Sequence, residues 1–182
     1  MDSSEARPDP PVGLTAGWSG PWLKPPEGPV TNGPAGALVR AGRLLASARR
    51  IVVLSGAGLS TGAGIPDYRG PTGLWTRDPN AQKRAHIDYY RCHEAERRRG
   101  WQARLDSPIF GARPGRGHLA IVRLAARDRL LGVVTQNIDC LHQKAGLPET
   151  LLVELHGNVF AARCLSCSNR VPIQDWLLYP SD

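Results

Sequence analysis

Long apolar runs are missing from this 182-residue chain. None approaches the ~20 residues that a membrane-crossing helix needs, so no membrane span is expected. The first residues carry no basic patch leading into an apolar stretch, so no secretory leader is read there. Cysteine is scarce, at four residues: Cys92, Cys140, Cys164 and Cys167. The expected setting is a reduced one, cytoplasm or nucleus, where structural disulfides do not persist, and a disulfide-stapled scaffold is thereby excluded. No aromatic residue interleaves the run Arg97, Arg98, Arg99, as a stacking platform for single-stranded nucleic acid would require. Acidic residues are outnumbered, 16 Asp and Glu standing against 23 Lys and Arg.

What is present reads as globular. Hydrophobic residues make up 41% and charged residues 21%, and the length fits one domain with a small annex. The positive excess is concentrated between Ala81 and His118, where nine Lys and Arg meet four Asp and Glu. Such a surface favours anionic partners, a nucleic acid or an anionic cofactor among them, but it reads first as a solvated helix face. Eight of the 16 prolines fall in residues 1–34. That stretch predicts a flexible arm that sustains neither helix nor central strand, with Trp18 and Trp22 as its anchors.

The domain proper is expected from residue 36 to 159. Leu38, Ala41, Leu45 and Ala48 fall at helical spacing, and Arg49 and Arg50 suit the end of that helix. Residues 51–54 then form a short apolar strand, expected to be buried on both faces. The region 71–117, rich in Pro, Gly and Arg, reads as an inserted module over the ligand, with a helix over 88–104. A helix over 118–129 and strands over 130–135 and 151–155 follow. Each strand runs into a polar or glycine-containing segment, and in an open parallel sheet ligands bind at those carboxyl ends. Residues 160–182 begin a different module around Cys164 and Cys167.

The segment Gly56-Ala57-Gly58-Leu59-Ser60-Thr61 follows the first strand. Glycines let a turn approach a pyrophosphate closely, and a helix after the turn would offer free N–H groups to it. The dinucleotide fingerprint wants a third glycine where Thr61 stands. On its own the turn is therefore weak evidence for a nucleotide.

The continuation is specific. Gly64-Ile65-Pro66-Asp67-Tyr68-Arg69-Gly70 is followed by Thr135-Gln136-Asn137-Ile138-Asp139, Leu141-His142, Ala145-Gly146, Glu154-Leu155-His156-Gly157 and the pair Cys164 and Cys167. In order and spacing these resemble the sirtuin (silent information regulator) family over residues 37–167. The resemblance implies an α/β fold built on a partial Rossmann-type parallel sheet, with a helical insertion and an incomplete zinc ribbon. It implies an NAD-dependent protein-lysine deacylase. The acyl oxygen of an acylated lysine attacks the nicotinamide ribose carbon as nicotinamide leaves, and a histidine then takes a proton from a ribose hydroxyl. The products are free lysine, nicotinamide and O-acyl-ADP-ribose.

Residue by residue, the resemblance makes His156 the general base, a role suited to imidazole near neutral pH. Asn137 and Asp139 orient the nicotinamide and its ribose, Gln136 matches a ribose contact, and Ile138 lies beside them. Gly56, Ala57 and Gly58 allow backbone approach, while Ser60 and Thr61 reach phosphate or ribose. Ile65 and Pro66 wall the nicotinamide end. Asp67 and Arg69 belong to the mobile cofactor loop, Arg69 offering planar donors to phosphate oxygens. His142 is expected to be structural. Tyr68 stands where many members carry Phe, and Gly115 stands where a related segment carries Asn. No Tyr-x-x-Arg pair marks a preference for acidic acyl groups, so an acetyl or other neutral chain is expected on the protein substrate.

The family's structural zinc takes two Cys-x-x-Cys pairs, because such a site is four-coordinate. This chain supplies Cys164 and Cys167 alone. A partner supplying the missing half is one expectation, and a weakly binding remnant for NAD or a partner is an alternative function. A basic nucleic-acid module built on Arg97, Arg98 and Arg99 together with the pair Cys164 and Cys167 is another.

Overall fold

The computed structural model describes residues 33–173. The proline-rich arm with Trp18 and Trp22, and the last residues of the cysteine module, lie outside the described residues. A first helix, α1 (Pro34–Ser47), starts with proline in its first turn, where the missing N–H costs nothing. Strand β1 (Ile51–Ser55) follows. Four short helices fill the insertion: α2 (Leu74–Arg77), α3 (Pro79–Arg84), α4 (Ile87–Cys92) and α5 (Glu94–Leu105). The single helix expected over 88–104 is broken at His93, whose extended backbone ends α4 and starts α5. Helix α6 (Arg116–Ala125), strand β2 (Leu130–Thr135), the single turn α7 (Leu141–Lys144) and strand β3 (Leu152–Glu154) complete the main body. Strands β4 (Ala161–Arg163) and β5 (Arg170–Pro172) form a separate antiparallel pair.

The main sheet is parallel, in the order β1-β2-β3. Its core sits on one face, where Ile51, Val133 and Leu130 meet Ile121 and Val122 of α6 and Leu147 beyond α7. The buried stripe of α6, His118, Ile121 and Val122, has the spacing of a helix laid on a sheet. Arg129 ties this body to α1. Its guanidinium donates to the carbonyls of Ala46 and Ala48, each at 2.9 Å, and also to that of Leu45. It thereby supplies the C-terminal cap expected of Arg49 and Arg50.

The burial of β1 on both faces is not observed. Ile51 and Ser55 are buried, but Val52 is 63% and Leu54 69% exposed. Val153 on β3 is exposed on the same face, since the register aligns Leu54 with Val134 and Val134 with Val153. The stripe of α1 is likewise turned outward, Leu38, Leu44 and Leu45 being exposed and Gly36 alone buried in that helix. Helical spacing shows that residues share a face, and only the rest of the fold decides whether that face meets anything.

Candidate active site

The carboxyl ends of β1 and β2 lie side by side, Ser55 opposite Thr135. The Ser55 hydroxyl donates to Thr135 Oγ1 at 2.8 Å and lies 2.9 Å from His142 Nε2. The backbone N–H of Asn137 donates to the same threonine oxygen at 3.1 Å. A buried polar seam therefore links the two strand ends to α7, while the other ring nitrogen of His142, Nδ1, is buried without a hydrogen-bond partner among the described residues.

Beyond β1 the chain turns through two 3₁₀ segments, Ala57–Leu59 and Thr61–Ala63, rather than into the expected helix. Gly64, at φ 85°, ends the second in the left-handed region that favours glycine, and Pro66 follows. An anion here meets short turns and not a helix N-terminus. A Cβ placed on Gly58 would meet nothing within 4 Å, so open space borders the turn. Ser60 points inward. It is 1% exposed and donates to Asp139 Oδ2 at 2.6 Å. Asn137 Nδ2 donates to Gly56 O at 3.0 Å and to Ser60 Oγ at 3.2 Å. Asp139 Oδ1 accepts from the N–H of Leu141 at 2.9 Å and caps the turn α7. Asn137, Asp139 and Ser60 thus form one buried cluster joining the two strand ends. The hydroxyl of Thr61 donates to Gly58 O at 3.0 Å.

A cavity of about 690 Å³ opens beside this cluster, within the range of small-molecule sites. Ala57, Ser60, Ile65, Pro66, Gln136, Asn137, Ile138 and Asp139 reach it from the sheet side. The insertion supplies the opposite wall, with Trp75, Tyr90, Ile109 and Phe110. Gly56, Gly58, Thr61, Asp67, Arg69 and His156 are not among its lining residues. Asp67 folds onto its own loop, accepting the N–H of Gly70 at 2.9 Å. His156 stands exposed just past β3, before Gly157 at φ 66°. The structure groups Ser60, Asn137 and Asp139 tightly, and His156, past the end of β3, is not among the residues that line the cavity.

Residues that the sequence motifs did not single out for a role hold this arrangement. Glu154 ends β3 and accepts Gln143 Nε2 and Asn158 Nδ2, each at 2.9 Å, with Cys140 Sγ at 3.8 Å. It brackets α7 to the segment that carries His156. A carboxylate ending an apolar strand two residues before a histidine was the visible signal. Burial, with the negative charges of Glu154 and Asp139 behind it, pushes the Cys140 thiol up to about 11. Cys164 goes the other way. It opens the β4–β5 turn, and the backbone N–H groups of Cys167 and Ser166 hold its thiol below the ordinary value. At pH 8 iodoacetamide is therefore expected to label Cys164 well before Cys140, as peptide mapping over time would show. Cys92 is exposed.

His118 and His142 are fully buried, with rings 5.1 Å apart and edge to face. His118 Nδ1 accepts the N–H of Gly115 at 3.2 Å, reaching back to cap α6. Burial holds both imidazoles below their ordinary value of 6.5, and for His142 the neighbouring His118 adds to this. Asp139 pulls both the other way. The unfolded chain therefore binds protons near pH 6.5 that the folded chain refuses. Stability from this pair is complete above that value and is lost as pH falls toward the depressed folded values. The melting temperature should fall on acidification from pH 7.5 to 5. His118→Asn, which keeps an acceptor for Gly115, should flatten that fall, and an unchanged slope would refute the assignment.

Zinc fits this chain only in part. Cys164 and Cys167 flank one tight turn, with the N–H of Cys164 on Asn169 O at 2.8 Å. Among the described residues no group of three or more His, Cys, Asp or Glu is placed to hold a metal. Two thiolates do not close a tetrahedral structural site.

The Sir2 family model matches residues 56–179, about two thirds of the chain. The chain belongs to the Sir2 family. An NAD-dependent protein deacetylase 2 of Streptomyces coelicolor is 46% identical over 127 residues, covering 70% of this chain and 53% of that protein. An NAD-dependent protein deacylase 2 of Pyrobaculum aerophilum is 43% identical over 133 residues, covering 69% and 49%. A solved Sir2 variant with a deacetylated p53 peptide and 3'-O-acetyl ADP ribose superposes with a TM-score of 0.65 at 34% identity, covering 75% of this chain and 53% of that one. The α/β fold with its parallel sheet is that of the family. This Sir2 chain spans about half the length of the curated relatives it matches.

Proposed function

We propose that this chain carries the nicotinamide end and the proton-transfer residue of an NAD-dependent protein-lysine deacylase. One observation carries the reading: the buried Asn137, Asp139 and Ser60 cluster, fixed between two parallel strand ends on the wall of a cavity. NAD when bound supplies the ribose carbon that takes the acyl group and the nicotinamide that leaves. Asn137 and Asp139 orient that end, with Ser60 holding the Asp139 carboxylate. Ile65 and Pro66 exclude water from it, and Gln136 and Ile138 border the ribose. Gly56, Ala57, Gly58 and Thr61 give the backbone turn beside the phosphates, with Asp67 and Arg69 on the neighbouring loop. His156, exposed just past β3, accepts the proton of a ribose hydroxyl. The substrate is an acyl-lysine protein, with an acetyl or other neutral chain.

A nucleic-acid role for the arginine run finds less support. Arg98 pairs with Glu94 at 3.0 Å and Arg99 with Glu96 at 3.5 Å, while Arg97 donates to the Tyr90 and Arg91 carbonyls. The run is largely spent within its own module. A remnant that binds NAD weakly is favoured by the uncovered face of β1. Release of nicotinamide from NAD only when an acetyl-lysine peptide is added supports deacylation. NAD binding without release supports the remnant, and absence of both removes the NAD reading.

A further inference from the structure

Trp75 begins the second residue of α2, and nothing in the motif of the cofactor loop assigns it a task. Its ring lies under the guanidinium of Arg69, whose carbon is 4.4 Å from the ring centroid. Tyr68 packs against the same indole at 4.9 Å. The backbone repeats the contact, because the N–H of Trp75 donates to Tyr68 O at 2.9 Å and that of Leu74 to Asp67 O at 2.8 Å. Asp67 Oδ1 holds Gly70 N, Gly73 N donates to Gly70 O, and Thr76 Oγ1 donates to Gly70 O. A Cβ on Gly73 would come within 2.5 Å of the Tyr68 carbonyl carbon, so the loop closes on itself only because that residue is glycine. Residues 67–76 are a small closed ring, and its aromatic members Tyr68 and Trp75 face the cavity.

Arg69 is exposed, and among the described residues its guanidinium makes no ion pair or hydrogen bond. A cation held over an aromatic face keeps its in-plane N–H donors free, and those donors match phosphate oxygens in pairs. We propose that Trp75 is a positioning residue, holding the Arg69 guanidinium over its ring with its donors presented to the phosphate oxygens of a dinucleotide at the cavity mouth. This rests on the NAD reading above and adds a residue to it. Holding the side chain in advance removes part of the ordering cost that a free arginine would bring to binding.

Trypsin reads this contact in the 182-residue chain without any ligand, since cleavage after Arg69 needs the guanidinium to leave Trp75. Under native conditions the rate follows the released population. Cleavage after Arg98, exposed on α5, serves as the internal reference. Trp75→Leu should raise cleavage after Arg69 about two- to fivefold relative to Arg98, while Trp75→Phe, which keeps an aromatic face, should stay close to the original chain. An unchanged ratio in Trp75→Leu overturns the proposal, as does equal acceleration at both sites, which marks a general loosening. A Phe variant that behaves like the Leu variant also overturns it. ADP-ribose, added as the probe, should protect Arg69 saturably, with weaker protection in Trp75→Leu than in Trp75→Phe. If ADP-ribose gives no protection while the Leu effect persists, the ligand assignment and the NAD reading fall together and the Trp75–Arg69 contact alone stands.

Discussion

In a chain extended to the length of its Sir2 relatives, His156→Ala is expected to lower lysine deacylation by roughly 10²–10⁴-fold, the usual worth of a positioned general base. NAD affinity should change far less. His156 stands exposed at the end of β3, off the buried cluster that forms the cavity wall, so its removal leaves Asn137, Asp139 and Ser60 bonded to one another. Asn137→Ala should behave differently. Its amide bridges Gly56 O and Ser60 Oγ, so its loss disturbs the cluster proposed to hold the nicotinamide end and should slow nicotinamide exchange as well as deacylation. Exchange measured with labelled nicotinamide separates the two roles. Near-normal deacylation in His156→Ala, or exchange at the original rate in Asn137→Ala, contradicts the assignment concerned.

The parts of this site legible in the sequence were those carried by strand ends. Residues 130–135 form an apolar run broken by Gln136 and Asn137, and β2 occupies Leu130–Thr135. The same logic placed β1 and β3 to within a residue or two. Other features depended on contacts far apart in the chain. Ser55 meets Thr135 across 80 positions, and Ser60 meets Asp139 across 79, and no local pattern announces either pair. The 3₁₀ turns after Gly56 arise where Gly62, Gly64 and Pro66 crowd one short segment, which a glycine-turn-then-helix reading passes over. Glu154 itself was visible as a carboxylate ending an apolar strand, but its partners, Gln143 and Asn158, carried no signal of their own.

The second large effect concerns the face of the sheet that carries no core. Parallel strands ordinarily lie covered on both sides, yet Val52, Leu54 and Val153 share a face that is open among the described residues. Beside it, among the described residues, β1 pairs with β2 alone, so its other edge presents N–H and C=O groups to any strand that approaches. The 182-residue chain should therefore self-associate, with a concentration-dependent rise in mass by light scattering and little zinc retained per chain. The double change Val52→Lys and Leu54→Lys should strongly suppress that association. It removes contacts the folded chain does not make, so each change should alter unfolding free energy by within about 0.5 kcal/mol. Val133, on the opposite face of the next strand and 0% exposed, sets the contrast. Val133→Ala should cost on the order of 2 kcal/mol in denaturant unfolding, from lost burial and the space left behind. A chain that stays monomeric at high concentration, with the lysine pair costing as much as Val133→Ala, would mean that the open face is covered, and the argument from the exposed strand would fail.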